Sequence, residues 1–425
     1  MASPGRVLIV DENLPVPFDR RVWMESCALR DAGYEVVVVC PAGREAPAPF
    51  EVLDGVRIHR HPLSGEAAKA SEYPREYAQA LWHELRLAVG LGSPRPFDVV
   101  HLCNPPDILF LVGGLLRARH GTAVLFDQHD LSPELYEAKF KRRDVLYRAL
   151  RVAERLTFAT ADVVVATNES YRSLALARGG MSPDDVFVVR NGCDLSWFAP
   201  TAGDAAYKRG RRYLVGYVGT MAEQEGIDHL LRAARLIVRD WGRDDVAFTI
   251  IGGGPAVGGL RDLSRELGLD DVVEFTGRVS DDELLDRLST CDVCVNPDPK
   301  TPFNDVSTMT KIMDYMALSK PMVQFDLTEG RRSAADASLY ARPNDEEHFA
   351  RLIVELLDDP ERRAVMGSIG RERMERELQW RHQVPELLAA YERALQKRRQ
   401  RADGWAWLRR NGNGNGAGRR RRTAS

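Results

Sequence analysis

Arg212–Val218 reads RYLVGYV, an apolar strand that opens a strand–helix alternation for the second time in this chain. Helical spacing over Ile227–Val238 follows, then a strand at Ala247–Ile251, a helix at Gly258–Leu267 and a strand at Val272–Thr276. Helix Ser280–Leu288, strand Val293–Val295, helix Met309–Ala317 and strand Met322–Phe325 continue the series. Upstream, the first series starts at Arg6–Val10 (RVLIV). It runs through helix Asp19–Ala32, which ends at Gly33, and strand Tyr34–Cys40 (YEVVVVC). Strands at Val99–Leu102, Ala123–Asp127, Asp162–Ala166 and Val186–Val189 alternate with helices at Tyr73–Val89, Pro106–Arg119 and Arg142–Thr160. Unbroken Val/Ile-rich strands separated by helices predict parallel sheets covered on both faces. The fold class is therefore α/β, with two doubly wound parallel-sheet domains over residues 1–200 and 211–380. Pro200–Gly210, rich in Ala, Gly, Asp, Lys and Arg, is the linker. Helices at Asp345–Leu357 and Pro360–Arg381 close the second domain, and a helix over 381–396 is expected to return toward the first. Residues 397–425, with NGNGNGAG and RRRR, lose periodicity and read as a disordered tail.

The 425 residues are 44% apolar and 28% charged, an ordinary globular composition. A collagen-like chain, a fully disordered one and a small disulfide scaffold are excluded. The net charge of −3 divides unevenly: residues 397–425 hold ten Lys/Arg against Asp403 alone, or +9, leaving −12 for residues 1–396. The start shows no basic segment followed by a long apolar one, so no signal peptide is read. The longest apolar run, Ile108–Leu116, is far short of the ~20 residues that span a bilayer. A cytoplasmic location is expected. Cys291-Asp-Val-Cys294 reads as part of a strand, with the two thiols on opposite faces, so neither redox nor zinc chemistry is expected there.

In doubly wound sheets, ligands bind beyond the carboxyl ends of the strands, with phosphates at helix N-termini. DENLPVPFDRR follows the first strand and contains no GxGxxG, which disfavours a dinucleotide dehydrogenase. GGGPAVGG follows Ala247–Ile251 but lacks the Lys-Ser/Thr of a P-loop. The most informative loop is Asn296–Asp326, NPDPKTPFNDVSTMTKIMDYMALSKPMVQFD. Ser307 and Thr308 stand where a helix start needs capping and can leave backbone N–H groups for an anion. Lys311 and Asp314, three apart, share a helix face. They read either as an ordinary surface pair or as a ribose-holding carboxylate beside a phosphate-binding helix start.

Several motifs, in order, carry a family resemblance. In the second half these are YVGTMAEQEGIDHLLRAA, FTIIGGGP, VVEFTGRVSDDELLDRLSTCDVCVNP and STMTKIMDYMALSKPMV. In the first half they are WMESCALRDAGYEVVVVCP, FDQHDLSPE, ATNESYR and VVRNGCDLSWFAP. The set spans roughly residues 6–380 and resembles the retaining glycosyltransferases of family 4, most like the bacterial branch that builds exopolysaccharide or cell-surface glycan. The resemblance implies the GT-B fold, two Rossmann-like domains facing across a cleft. It also implies a UDP- or GDP-linked sugar donor on the second domain and a glycan or lipid-linked acceptor on the first. Gly219, Thr220 and Gly253 would lie at the diphosphate, Arg278 and Val279 at the base, and Asp314 at the ribose. Ser307, Thr308 and Met309 would offer backbone N–H groups to phosphate and sugar. His129, with Asp130 beside it, would approach the transferred sugar.

The implied mechanism is front-face transfer, with the departing diphosphate taking the acceptor's proton and neither metal nor cofactor required. Three features depart from the family pattern. The first of two glutamates eight apart falls on Val306, and the second is Asp314. TMAEQEG lacks the usual Arg and Lys, so Lys311, or Arg331 and Arg332, are candidates for the missing positive charge. PVPFDRR replaces a glycine pair, which makes Arg20 and Arg21 candidates to face donor or acceptor. A sugar-nucleotide epimerase and a non-catalytic partner subunit are the competing readings. The tail, with Trp405, Trp407 and Leu408 among arginines, reads either as a solvated extension or as a contact with an anionic membrane surface. Nucleic-acid binding is not expected, since no module for it accompanies the tail.

Overall fold

The computed structural model describes residues 4–43, 46–62 and 73–412. The chain divides into two compact units. Unit 1 comprises Met1–Pro133, Arg143–Val189 and the chain from Val384, and unit 2 comprises Glu134–Arg142 and Arg190–Gln383.

Unit 1 carries strands β1 (Arg6–Asp11), β2 (Glu35–Pro41), β3 (Phe50–Leu53), β4 (Val56–His61), β5 (Val99–Cys103), β6 (Ala123–Gln128), β7 (Val163–Ala166) and β8 (Val186–Val188). They form one sheet in the order β3-β4-β2-β1-β5-β6-β7-β8. Every pairing is parallel except β3–β4, and Ile9 on β1 sits between Val38 and His101. The β3–β4 hairpin is absent from the sequence reading, although its signal is present. Asp54-Gly55 takes φ of 46° and 83° between two strands, the positive-φ turn that an Asp-Gly pair favours. The helices up to Val189 are α1 (Arg20–Asp31), α2 (Tyr73–Gly92), α3 (Phe110–His120), α4 (Ser132–Phe140), α5 (Val145–Thr160) and α6 (Glu169–Ala177), all of unit 1 except α4, which from Glu134 belongs to unit 2. The Asp19 carboxylate caps α1 by accepting the Val22 N–H at 3.0 Å.

Unit 2 carries β9 (Tyr213–Val218), β10 (Val246–Ile251), β11 (Val273–Gly277), β12 (Val293–Asn296), β13 (Met322–Phe325) and β14 (Ser338–Ala341). Their order is β11-β10-β9-β12-β13-β14, all parallel. Its helices are α7 (Ile227–Arg235), α8 (Val257–Glu266), α9 (Asp281–Thr290), α10 (Thr310–Ala317), α11 (Thr328–Ala334), α12 (Glu346–Asp358) and α13 (Pro360–Arg373). Tyr217, Phe248, Phe325 and Phe349 fill the core on one face of this sheet, and Phe198, Tyr315 and Met316 the other. Each sheet thus buries both faces, as its unbroken apolar strands require. The strand order reverses between β1 and β5 in unit 1 and between β9 and β12 in unit 2. Those switch points are where such sheets open a ligand crevice.

Two expectations are corrected here. Cys291 caps the end of α9 instead of entering the strand, so it and Cys294 share one apolar cluster and do not lie on opposite faces. The tail is not disordered from residue 397: α14 runs Trp380–Gly412, with Pro385 inside it. Acids of unit 1 take up its cations. Lys397 pairs with Asp185, Arg401 with Asp162, and Arg398 with Asp98 at 2.6 Å. The side chains of Trp405, Trp407 and Leu408, and all of residues 413–425, lie outside the described residues. Among the described residues no helix is long and apolar enough to cross a membrane.

Candidate active site

In unit 1 the polar residues gather where β1, β5 and β6 end. β6 finishes with Asp127, whose carboxylate is fully buried and would be costly to ionise alone. Arg21, one residue into α1, compensates it. Its Nε donates to Asp127 Oδ2 at 2.9 Å and its Nη2 to Oδ1 at 2.8 Å, a two-point clamp. Arg21 Nη1 also donates to the Val189 carbonyl (2.9 Å), and its Nη2 lies 3.1 Å from Glu25 Oε1. Arg21, expected to face a donor or acceptor, instead has its guanidinium committed to holding Asp127, while Arg20 beside it is exposed.

His129 Nε2 lies 2.6 Å from Asp127 Oδ2. Burial disfavours the imidazolium, but the Asp127 charge and its hydrogen bond more than offset this, and the pKa of His129 is pushed up to about 9. Asp127 responds in the opposite sense: burial raises its pKa, but Arg21 and His129 outweigh that and hold it well below the usual carboxylate range. Asn104 sets the backbone of the same turn. Its Oδ1 accepts the N–H of His129 at 2.7 Å and of Asp130 at 3.2 Å, and its Nδ2 donates to the Asp130 carbonyl at 2.8 Å.

The sequence reading missed His101, Asn104, Glu25 and Tyr391. His101 Nε2 sits 3.4 Å from Asp127 Oδ2, and its Nδ1 lies 2.7 Å from the hydroxyl of Tyr391 on α14. Burial holds the pKa of His101 below that of an ordinary imidazole, against the pull of Asp127. A histidine in the middle of the strand VVHLC was the available signal. The Tyr391 contact spans 290 residues and has no local trace.

In unit 2 two loops meet beyond β9 and β10. The Gly219 N–H donates to the Ile251 carbonyl (3.1 Å) and the Met221 N–H to the Gly253 carbonyl (2.9 Å). The approach is so close that a Cβ on Gly252, at φ +126°, would stand 2.0 Å from the Gly219 oxygen. No atom lies within 4 Å of a Cβ built on Gly253. Gly252 therefore holds the two loops together, while the space beside Gly253 is open. Thr220 is exposed beside them, its carbonyl accepting the Tyr217 hydroxyl at 3.1 Å. Arg278 is exposed just after β11, and Val279 packs on the core.

The helix of the informative loop starts later than expected. α10 begins at Thr310 with Met309 as its cap residue and no capping side chain. Ser307 is buried; its Oγ donates to the Phe303 carbonyl (2.8 Å) and its N–H to the Asn304 carbonyl (3.3 Å). Ser307 is thus neither the cap nor a free N–H. The half-buried Thr308 and Met309 stand at the helix start. Lys311, expected beside a diphosphate, is buried, its Nζ 2.8 Å from Glu225 Oε2 and 3.2 Å from Asp298 Oδ1. Burial pushes Asp298 up to about 7 against the counter-pull of Lys311. Arg331 pairs with Asp326 and Arg332 with Glu329. Asp305 accepts the Thr328 N–H at 2.9 Å and caps α11. Asp314 is half-buried, and its charge, after burial, helps push the Cys193 thiol up to about 12.

Two family models match this chain in succession. One, described as glycosyl transferase 4-like domain, covers residues 19–192, and the other, glycosyl transferases group 1, covers residues 212–359. The chain belongs to the group 1, family 4-like glycosyltransferases. The D-inositol 3-phosphate glycosyltransferase of Kineococcus radiotolerans is 27% identical over 83% of this chain and 85% of its own length. The protein of the same name from Thermomonospora curvata is 28% identical over 84% and 86%. Among solved structures, sucrose-phosphate synthase from Thermosynechococcus elongatus aligns with a TM-score of 0.77 at 20% identity, covering 91% of this chain and 98% of that one. Anabaena Alr3699/HepE in complex with UDP and glucose aligns at 0.68 and 15%, covering 91% and 99%. This glycosyltransferase therefore has the GT-B fold, with each switch point at the carboxyl ends of a Rossmann-like sheet.

Proposed function

We propose that this glycosyltransferase moves a sugar from a UDP- or GDP-linked donor to a hydroxyl of a glycan or lipid-linked acceptor, with retention at the anomeric carbon, in assembly of an extracellular or cell-surface glycan. The observation that carries the reading is the Arg21–Asp127–His129 chain at the carboxyl end of β6, in which Asp127 Oδ2 lies 2.6 Å from His129 Nε2 and favours the protonated ring. A cation there compensates the negative charge of a phosphate-bearing substrate, the electrostatic work such a reaction asks of a protein. In unit 2 the loops at Gly219 and Gly253, the start of α10 and Asp314 support the reading of a diphosphate and ribose site. Relatives of this fold bind such donors: the Anabaena protein was solved with UDP-glucose, and a trehalose-6-phosphate protein from E. coli with UDP-2-fluoro glucose.

In the proposed step the acceptor oxygen bonds to the anomeric carbon on the face the diphosphate leaves. The bond from that carbon to the phosphate oxygen breaks, and the acceptor's proton passes to the departing diphosphate. No step calls on a metal. Incubating the protein with a panel of UDP- and GDP-sugars, with and without acceptor, tests this. Nucleotide release only with acceptor, and a product of unchanged anomeric configuration by NMR, is the expected result. Isomerised sugar without transfer would instead identify an epimerase, and binding without turnover a partner subunit.

A further inference from the structure

In unit 1, α2 packs on α3 and α3 on α5, and α3 and α5 both lie on β6, so the three helices form one layer with a shared outer side. Their inner positions are buried as expected, among them Ala80, Ala88, Val112, Leu116 and Phe158. The outer side of such a layer is polar when it faces only water. Among the described residues it carries half of the exposed large apolar side chains. Trp82 on α2 is 65% exposed, Leu111 and Leu115 on α3 are 45% and 42%, and Val145, Val152 and Leu156 on α5 are 81%, 59% and 44%. Leu111/Leu115 and Val152/Leu156 stand one turn apart, so each pair forms a stripe and not isolated exposures.

The exposed charges described between these residues have one sign. Arg75 and Arg86 on α2, Arg119 on α3, and Arg148 and Arg155 on α5 are exposed. Glu84 and Glu154 are buried, and the side chain of Glu76, the remaining acid of the three helices, lies outside the described residues. In a body of net −12 over residues 1–396, that segregation is marked.

We propose that the outer side of α2, α3 and α5 is a docking surface for an anionic lipid bilayer. Aliphatic side chains and an indole enter the headgroup boundary while the arginines meet lipid phosphates. A second copy fits less well, because a two-fold contact would set arginine against arginine. Nucleic acid would leave the aliphatic stripes unused. Of the four cations at the start of the tail, Lys397, Arg398 and Arg401 are held by acids and do not perform this role. The inference is independent of the donor and reaction proposed above.

Co-sedimentation of the full chain with phosphatidylcholine vesicles, with and without phosphatidylglycerol, tests it. The protein is expected on the anionic vesicles and largely absent from the neutral ones, with binding weakened by salt. Val152→Asp with Leu156→Asp is expected to weaken binding about tenfold or more. Arg148→Gln and Arg155→Gln are each expected to weaken it about fivefold. All four positions are on the surface, so circular dichroism should show unchanged folds. Absence of vesicle binding, equal binding to both vesicle types, or binding unmoved by these substitutions overturns the proposal. So does a solution dimer that Val152→Asp with Leu156→Asp dissolves.

Discussion

Among single residues, Asp127 carries the most consequence. It was legible as a carboxylate at the end of a strand in FDQHD, but its grip on His129 depends on Arg21, 106 residues away. The raised pKa of His129 ties stability to pH. Its contribution is full below the ordinary imidazole range near 6.5 and is lost as pH rises through about 9. Urea melts of wild type and His129→Gln should therefore converge between about pH 6.5 and 9, and a gap that stays constant would show the pair is not coupled to folding. Replacing Asp127 by Asn should bring the His129 pKa down from about 9, read by NMR titration of the ring. Lys311 is the second decisive residue. Lys311→Met leaves Glu225 and Asp298 without their cation and should cost about 3–5 kcal/mol in a chemical melt. Adding Glu225→Gln and Asp298→Asn should recover part of it. A Lys311 variant of unchanged stability would return that side chain to the ligand role its spacing first suggested.

Elements were read well where periodicity is local, and poorly where an end is set by a partner. The strands of both sheets announce themselves by Val/Ile runs, and α1 by Asp19 and Gly33. α10 did not start at Ser307, because the Ser307 hydroxyl and N–H turn back into the preceding loop. The hairpin at Asp54-Gly55 was legible and overlooked; its exposed edge strand has little of the apolar run that marks the others. The glycine loop supplies the test at this scale. Gly252→Ala is expected to destabilise unit 2 by about 1–3 kcal/mol, since both its φ and the Gly219 oxygen oppose a side chain. Gly253→Ala should leave the melt unchanged while weakening nucleotide binding, measured by calorimetry. The reverse order of effects would reject the loop as a phosphate cradle.

Across the whole molecule, the two unequal parts of the net charge meet in space. The +9 of the tail is not separate from the −12 that precedes it, because α14 returns to unit 1 and sets Lys397, Arg398 and Arg401 on Asp185, Asp98 and Asp162. Truncation after Gln396 should lower unit 1 stability by about 0.5–1 kcal/mol for each pair lost, more at low salt than at high, in thermal melts at two ionic strengths. Tyr391, on the same helix, closes over His101. By itself, the sequence determined two alternating series, their parallel sheets and the family to which the chain belongs. These follow from periodicity and short motifs, which involve neighbours in the chain. Only the tertiary structure decided which cations are spent and which remain to act. In sequence Arg21 reads as a candidate to face donor or acceptor and Lys311 as one for the donor's diphosphate, yet both lie buried against carboxylates. A buried charge persists only beside its opposite, and the opposites come from residues far along the chain.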